Sequence, residues 1–285
     1  MEVFECDGDD GFWKNLLDNR TDEWTEVQKQ TWYSSKKDLR LYRSRTLPSS
    51  IYHLLKRCHN LRSFHWTFDK HEWRLAGEIA ENPDVSLNDA LLQGADKLES
   101  LHLESFGSFS RGNYPPYPFE VITCLPRFQN LRSLTIDTWG LWGLDIVSTE
   151  IEEGIPFTAL LPPCLNQFQL IERWSRPQYK AYRTDLGMEM YNSWLRKILD
   201  QSSKECNARL PKLRTFTFLA DPEFRPGWEQ YGLEKGGVPD SGLIGEGLER
   251  IKQSFKSVGV DMFWEWPERD FVTNGRIWLT KLRKI

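Results

Sequence analysis

Two twelve-residue phrases of this chain are near copies: CHNLRSFHWTFD at 58–69 and FQNLRSLTIDTW at 128–139. Self-similarity at intervals of about 20–50 residues constrains a fold strongly, because each unit must stack on a copy of itself to bury its apolar face. Aligned on the leucine of these phrases, five segments share the pattern L-x-x-[LF]-x-apolar. They are LRSFHWTF from Leu61, LESLHLESF from Leu98, LRSLTIDTW from Leu131, LNQFQLIERW from Leu165 and LRTFTFLAD from Leu213. Successive anchors lie 33 to 48 residues apart, and VGVDMFWEW from Val258 is a degenerate sixth copy.

Side chains alternate between the two faces of a strand. Phe64 and Trp66, Leu101 and Leu103, Leu134 and Ile136, Phe168 and Leu170, and Phe216 and Phe218 therefore each share one face. The anchor leucine stands three positions earlier, so the chain must turn inward there to reach the same core. Helical patterns fill the intervals. LPSSIYHLLKRC (47–58) sets Ile51, Leu54 and Leu55 at helical spacing, SLNDALLQGA (86–95) opens on Ser86, a capping residue, and PFEVITCLPRF starts on a proline. MEMYNSWLRKIL and IGEGLERIKQSF repeat the theme before the fifth and sixth strands. Helix followed by short strand, repeated, predicts parallel strands stacked side by side with the helices on the other side.

This strand motif resembles the leucine-rich repeat, and the long, irregular spacing of NLRSL-type strands resembles the repeat regions of fungal F-box-type proteins. The resemblance spans about residues 47–265. It implies an α/β solenoid: a curved parallel β-sheet with helices on its convex side. The position after the strand holds Asp69, Phe106, Trp139 or Trp174 in place of the family's asparagine or cysteine, which implies aromatic packing at those turns. Residues 1–46 show no clear copy and are read as an N-terminal cap, 47–268 as the solenoid, and 269–285 as a C-terminal tail or cap. LPSSIYHLL (47–55) begins like an F-box but runs directly into the first repeat. The expectation is a recognition domain without its ligase attachment.

The face opposite the core residues carries Ser63, His65 and Thr67, then Ser100, His102 and Glu104, then Ser133, Thr135 and Asp137, followed by Gln167 and Gln169 and by Thr215 and Thr217. A continuous polar ladder of this kind is the usual recognition surface of stacked repeats. Gly- and Pro-rich stretches at 107–117 and 221–243 read as loops, and they hold Tyr114, Tyr117, Trp228 and Tyr231, residue types suited to interface anchors. The expected partner-binding set is therefore His65, His102, Glu104, Thr135, Asp137, Gln169 and Thr217 with those four aromatics. The partner expected is another protein, in a non-enzymatic recognition role that extends, by resemblance, to substrate recognition in a ubiquitin-ligase-type system. The alternative is an enzyme or small-ligand binder using His102, Glu104 and Asp137 or the aromatic loops.

Composition narrows the field. A net charge of −4 argues against a dedicated nucleic-acid binder, although a local basic patch is compatible with it. No apolar run reaches the roughly 18 residues of a membrane span, and the acidic MEVFECDGDD start is unlike a signal peptide. Five scattered cysteines without a CxxC pair fit reduced thiols, hence a cytoplasmic or nuclear protein. The thirteen tryptophans read first as core filling. Catalytic signatures are lacking: there is no G-x-S-x-G, H-E-x-x-H, Walker loop or G-x-G-x-x-G, so neither a catalytic residue nor a cofactor is expected. His53, His59, His65 and His71 recur every six residues beside Cys58, but on a helix, a loop, a strand and a loop, so no metal site is expected.

Overall fold

The computed structural model describes residues 31, 33–44, 46, 48–69, 85–106, 121–142, 155–171, 185–219 and 244–265. They form an α/β arrangement around an all-parallel, open sheet of seven strands: β1 (Asp38–Ser44), β2 (Ser63–Asp69), β3 (Ser100–Phe106), β4 (Ser133–Asp137), β5 (Gln167–Ile171), β6 (Thr215–Leu219) and β7 (Asp261–Glu265). Spatial order equals chain order, and every strand pairs with its sequence neighbours. Among the described residues, five α-helices lie between them: α1 (Pro48–Arg57), α2 (Leu87–Leu92), α3 (Thr138–Trp142), α4 (Asp185–Arg209) and α5 (Ile244–Ser257).

Register is set by a hydrogen-bond device repeated from unit to unit. The carbonyls of Lys37, Arg62, Glu99, Arg132 and Asn166 each accept two consecutive amides of the next unit, at 2.7–3.2 Å. All but Lys37 are residues immediately after an anchor leucine, so the point where the chain turns inward is also where it is tied to its neighbour. Side chains add further ties. Asn60 Nδ2 donates to Ser34 O at 2.7 Å, and Asn130 Nδ2 donates to Asp96 O at 2.6 Å. Cys164 Sγ donates to the carbonyls of Phe128 and Leu131, and Lys97 Nζ donates to those of Leu55 and Cys58. Asparagine thus bridges units from the position before the anchor. The side chains of Asp69, Phe106, Trp139 and Trp174, expected at the turns after the strands, lie outside the described residues.

The core follows the alternation. Phe64, Trp66, Leu101, Leu103, Leu134, Ile136, Phe168, Leu170, Phe216 and Phe218 are all enclosed, as are the five anchor leucines. Ile51, Leu54 and Leu55 of α1 belong to the same cluster, and each full burial stabilises by roughly 1.5–3 kcal/mol. Toward the C-terminus the filling is aromatic: Phe157 lies 5.0 Å from both Phe168 and Phe216, and Phe216 lies 5.3 Å from Phe255. Trp66 is buried, and Trp142, Trp194 and Trp264 pack partly buried against the core, consistent with the filling role expected of tryptophan.

Three expectations are corrected. Residues 1–46 do hold a copy, for β1 brings Leu39 and Leu41 fully into the core opposite Phe64 and Trp66. Its anchor position is occupied by Lys36, itself 6% exposed, which is why the motif fails there. The sixth copy runs one residue later than an alignment on Val258 requires, since Met262 and Trp264, not Asp261 and Phe263, pair with Phe216 and Phe218. Gly259 takes the anchor place at φ 80°, a left-handed conformation that glycine adopts without a Cβ clash. Finally, where PFEVITCLPRF predicts a helix, the described residues form a single 3-10 turn, Leu125–Arg127, with Pro126 near its start. Asn88 of α2 replaces the missing helical bonds: its Nδ2 donates to Val121 O at 2.9 Å and its Oδ1 accepts from the Cys124 amide at 3.0 Å. The other helices match, and Ser86 caps α2 by accepting from the Asp89 amide at 3.0 Å.

Leu103→Ala and Leu134→Ala are each expected to destabilise the protein by about 2–5 kcal/mol in denaturant melts. Ser133→Ala, on the opposite face of β4, should stay within about 0.5 kcal/mol. Similar losses for leucine and serine would contradict this register.

Candidate functional site

Because the register is continuous, the face away from the core is organised in straight rows. One row is Arg40, His65, His102, Thr135, Gln169, Thr217 and Phe263, each the Cα partner of the next across β1 to β7. The sequence-predicted His65, His102, Thr135, Gln169 and Thr217 are therefore brought together in one line, all of them half-buried. The flanking row toward the strand starts is Asp38, Ser63, Ser100, Ser133, Gln167, Thr215 and Asp261.

At the β2–β3 position two imidazoles lie face to face. The rings of His65 and His102 are stacked with centroids 3.7 Å apart and planes inclined by 13°. Each ring is held from its own strand: His65 Nε2 lies 3.0 Å from Thr67 Oγ1, and His102 Nε2 lies 2.9 Å from Glu104 Oε2. Parallel strands set successive row members close enough for such stacking. On β1, Arg40 forms an ion pair of 3.1 Å with Asp38, and on β4 Thr135 Oγ1 donates to Gln169 Oε1 at 3.2 Å. Burial, reinforced by the neighbouring His102 and to a smaller extent by Arg40, lowers the pKa of His65 from 6.5 to about 3 against the opposing effect of Glu104 and Asp38. His65 is thus neutral at neutral pH, which a stacked imidazole pair requires of at least one member.

Asp137 does not join the accessible ladder. It is fully buried, and its Oδ1 accepts the Gly140 amide at 2.9 Å, which caps the start of α3. His102 and Glu104 meet, but Asp137 is committed to this turn, so the acid–base trio considered from the sequence is brought together only in part. Tyr114, Tyr117, Trp228 and Tyr231 lie outside the described residues. The periodic histidines diverge: His53 and His59 are exposed on and after α1, Cys58 is enclosed in the core, His65 is on the sheet face, and His71 lies outside the described residues. Burial raises the Cys58 thiol to about 11, which leaves it protonated.

Sequence reasoning missed four members of these two rows: Asp38, Arg40, Asp261 and Phe263. Asp38 and Arg40 belong to the copy that lacks a leucine anchor. Phe263, 44% exposed, ends the central row on β7. Its signal was present in DMFWE, where Met262 and Trp264 alternate with it, but only under the later register. Among the described residues no helix is long and apolar enough to cross a membrane. The chain matches no protein-family model, no curated protein and no solved structure.

Acid is expected to probe the His65 environment. As pH falls below 6.5 the unfolded chain binds a proton at this residue, while the folded protein does not until about pH 3. Stability therefore drops through that window by at most about 1.4 kcal/mol per pH unit from this group, and is unaffected by it above the window. Urea melts of the wild type and His65→Gln at pH 7 and pH 4.5 check this. The wild type should lose more stability than the variant, and an equal loss would contradict a buried neutral imidazole.

Proposed function

We propose that this chain is a non-enzymatic protein-recognition module that binds a protein partner across the polar face of its sheet. In this reading the stacked units form a curved, leucine-rich-repeat-like solenoid, with the ladder on the concave side and the helices on the convex side. One observation carries the proposal: the half-buried row from Arg40 through His65, His102, Thr135, Gln169 and Thr217 to the exposed Phe263. A face of this kind combines fixed polar groups with an aromatic anchor at one end, the composition of an interface with a hot spot. Its polar side chains are held by local bonds, so little ordering entropy remains to be lost on binding.

The leucine-rich-repeat resemblance extends the reading to substrate recognition in a ubiquitin-ligase-type system. A second reading, an acid–base or ligand site, draws on the 2.9 Å contact between His102 and Glu104. The enclosure of Asp137 favours the recognition reading over it, because the third member of that trio is occupied by a helix start.

Affinity capture from a lysate with mass spectrometry, comparing wild type with His102→Ala/Glu104→Ala/Phe263→Ala, tests the proposal. A discrete set of partners should be retained by the wild type and lost by the variant, whose folded state gives an unchanged circular-dichroism spectrum. Retention of the same partners by the variant, with loss on substituting exposed helix residues, would assign recognition to the other side.

A further inference from the structure

A second feature lies on the helical side, away from the ladder. Between Asp38 and Asp69 the sequence has no acidic residue, and Lys56 and Arg57 close α1 within that stretch. Within this locally basic stretch of an acidic protein, His53, Lys56, Arg57 and His59 line an open concavity of about 430 Å³ at the end of α1. That volume falls within the range of small-ligand sites.

Basic residues in a last helical turn ordinarily answer the negative end of the helix dipole and its free carbonyls. Here those carbonyls have another partner. Lys97 Nζ, reaching from the next unit, donates to both Leu55 O and Cys58 O. Lys56 and Arg57 are therefore released from capping. Aromatic rings hold them instead. The Arg57 guanidinium lies 5.5 Å from the centre of the Tyr33 ring and donates to its hydroxyl at 3.3 Å, and Lys56 Nζ lies 5.5 Å from the centre of Tyr52. The Tyr52 ring also meets His53 edge-on at 5.4 Å. Arg62 nearby pairs with Glu99, but among the described residues no carboxylate pairs with His53, Lys56, Arg57 or His59. Two cations are thus oriented without being neutralised, beside two imidazoles able to donate hydrogen bonds.

We infer that this concavity binds a small dianion of the phosphate-monoester class. The Arg57 fork and Lys56 supply charge, and His53 and His59 supply donors at its rim. The ligand is a phosphorylated side chain or a small metabolite phosphate, which share this chemistry.

Titration with O-phosphoserine and, separately, with glycerol phosphate tests the site, following the His53 and His59 ring resonances by NMR at constant ionic strength. Saturable shifts are expected with at least one probe, and the tighter one identifies the source. Lys56→Gln/His59→Gln changes only exposed side chains, so its melting temperature should be unchanged while affinity falls about tenfold or more. Arg57→Lys keeps the charge but loses the fork, and should also weaken binding. Absence of saturation with either probe, the same shifts with sodium chloride, or unchanged affinity in both variants would overturn the inference.

Discussion

A carbonyl that accepts two consecutive amides from the following unit is the constraint on which the rest of this structure depends. It recurs at Lys37, Arg62, Glu99, Arg132 and Asn166. By fixing where β2 to β6 begin, it fixes which of their side chains face the core, since a slip of one residue would exchange the two faces completely. The anchor leucine beside it acts in concert. Burial draws the turn inward, and the amide pair stops it from sliding along its neighbour. Seven strands in chain order with a straight row of side chains on each face follow from that combination.

The row has chemical consequences because close parallel pairing forces like positions together. His65 and His102 stack since each occupies the same place in its own unit, and burial, with His102 alongside, keeps His65 uncharged. Most of the ladder is then satisfied locally, through Thr67, Glu104, Asp38 and Gln169. The face presents a preorganised pattern rather than loose polar groups, and Phe263 supplies the apolar contact that such a pattern lacks. On the opposite side, the reach of Lys97 to the end of α1 caps one unit from another and leaves Lys56 and Arg57 available for other work.

Much of this was legible in the sequence, and the exceptions have physical reasons. The alternation of apolar residues after Leu61, Leu98, Leu131, Leu165 and Leu213 identified the five central strands and their buried faces, because burial is what the motif encodes. The first and last strands were obscured at the anchor, where Lys36 and Gly259 replace leucine, so Arg40 and Phe263 escaped notice. The 3-10 turn at Leu125–Arg127 was hidden because its support comes from Asn88, a side chain more than thirty residues earlier. Asp137 fits the ladder by alternation, and only the turn into α3 reveals that its carboxylate is needed as a cap. Pattern reports a residue's face reliably, but not a competing local bond.

Cysteine cross-linking across the sheet tests the unit-to-unit register most directly. Ser100 and Ser133 are Cα partners on neighbouring strands, whereas Ser63 and Ser133 stand two strands apart. Under mild oxidation, Ser100→Cys/Ser133→Cys should form an intramolecular disulfide, seen by mass spectrometry of the digested protein, because only adjacent strands bring two Cα atoms within bridging distance. Ser63→Cys/Ser133→Cys should remain reduced under the same conditions. Efficient closure of the second pair without the first would contradict the stacking of units in chain order.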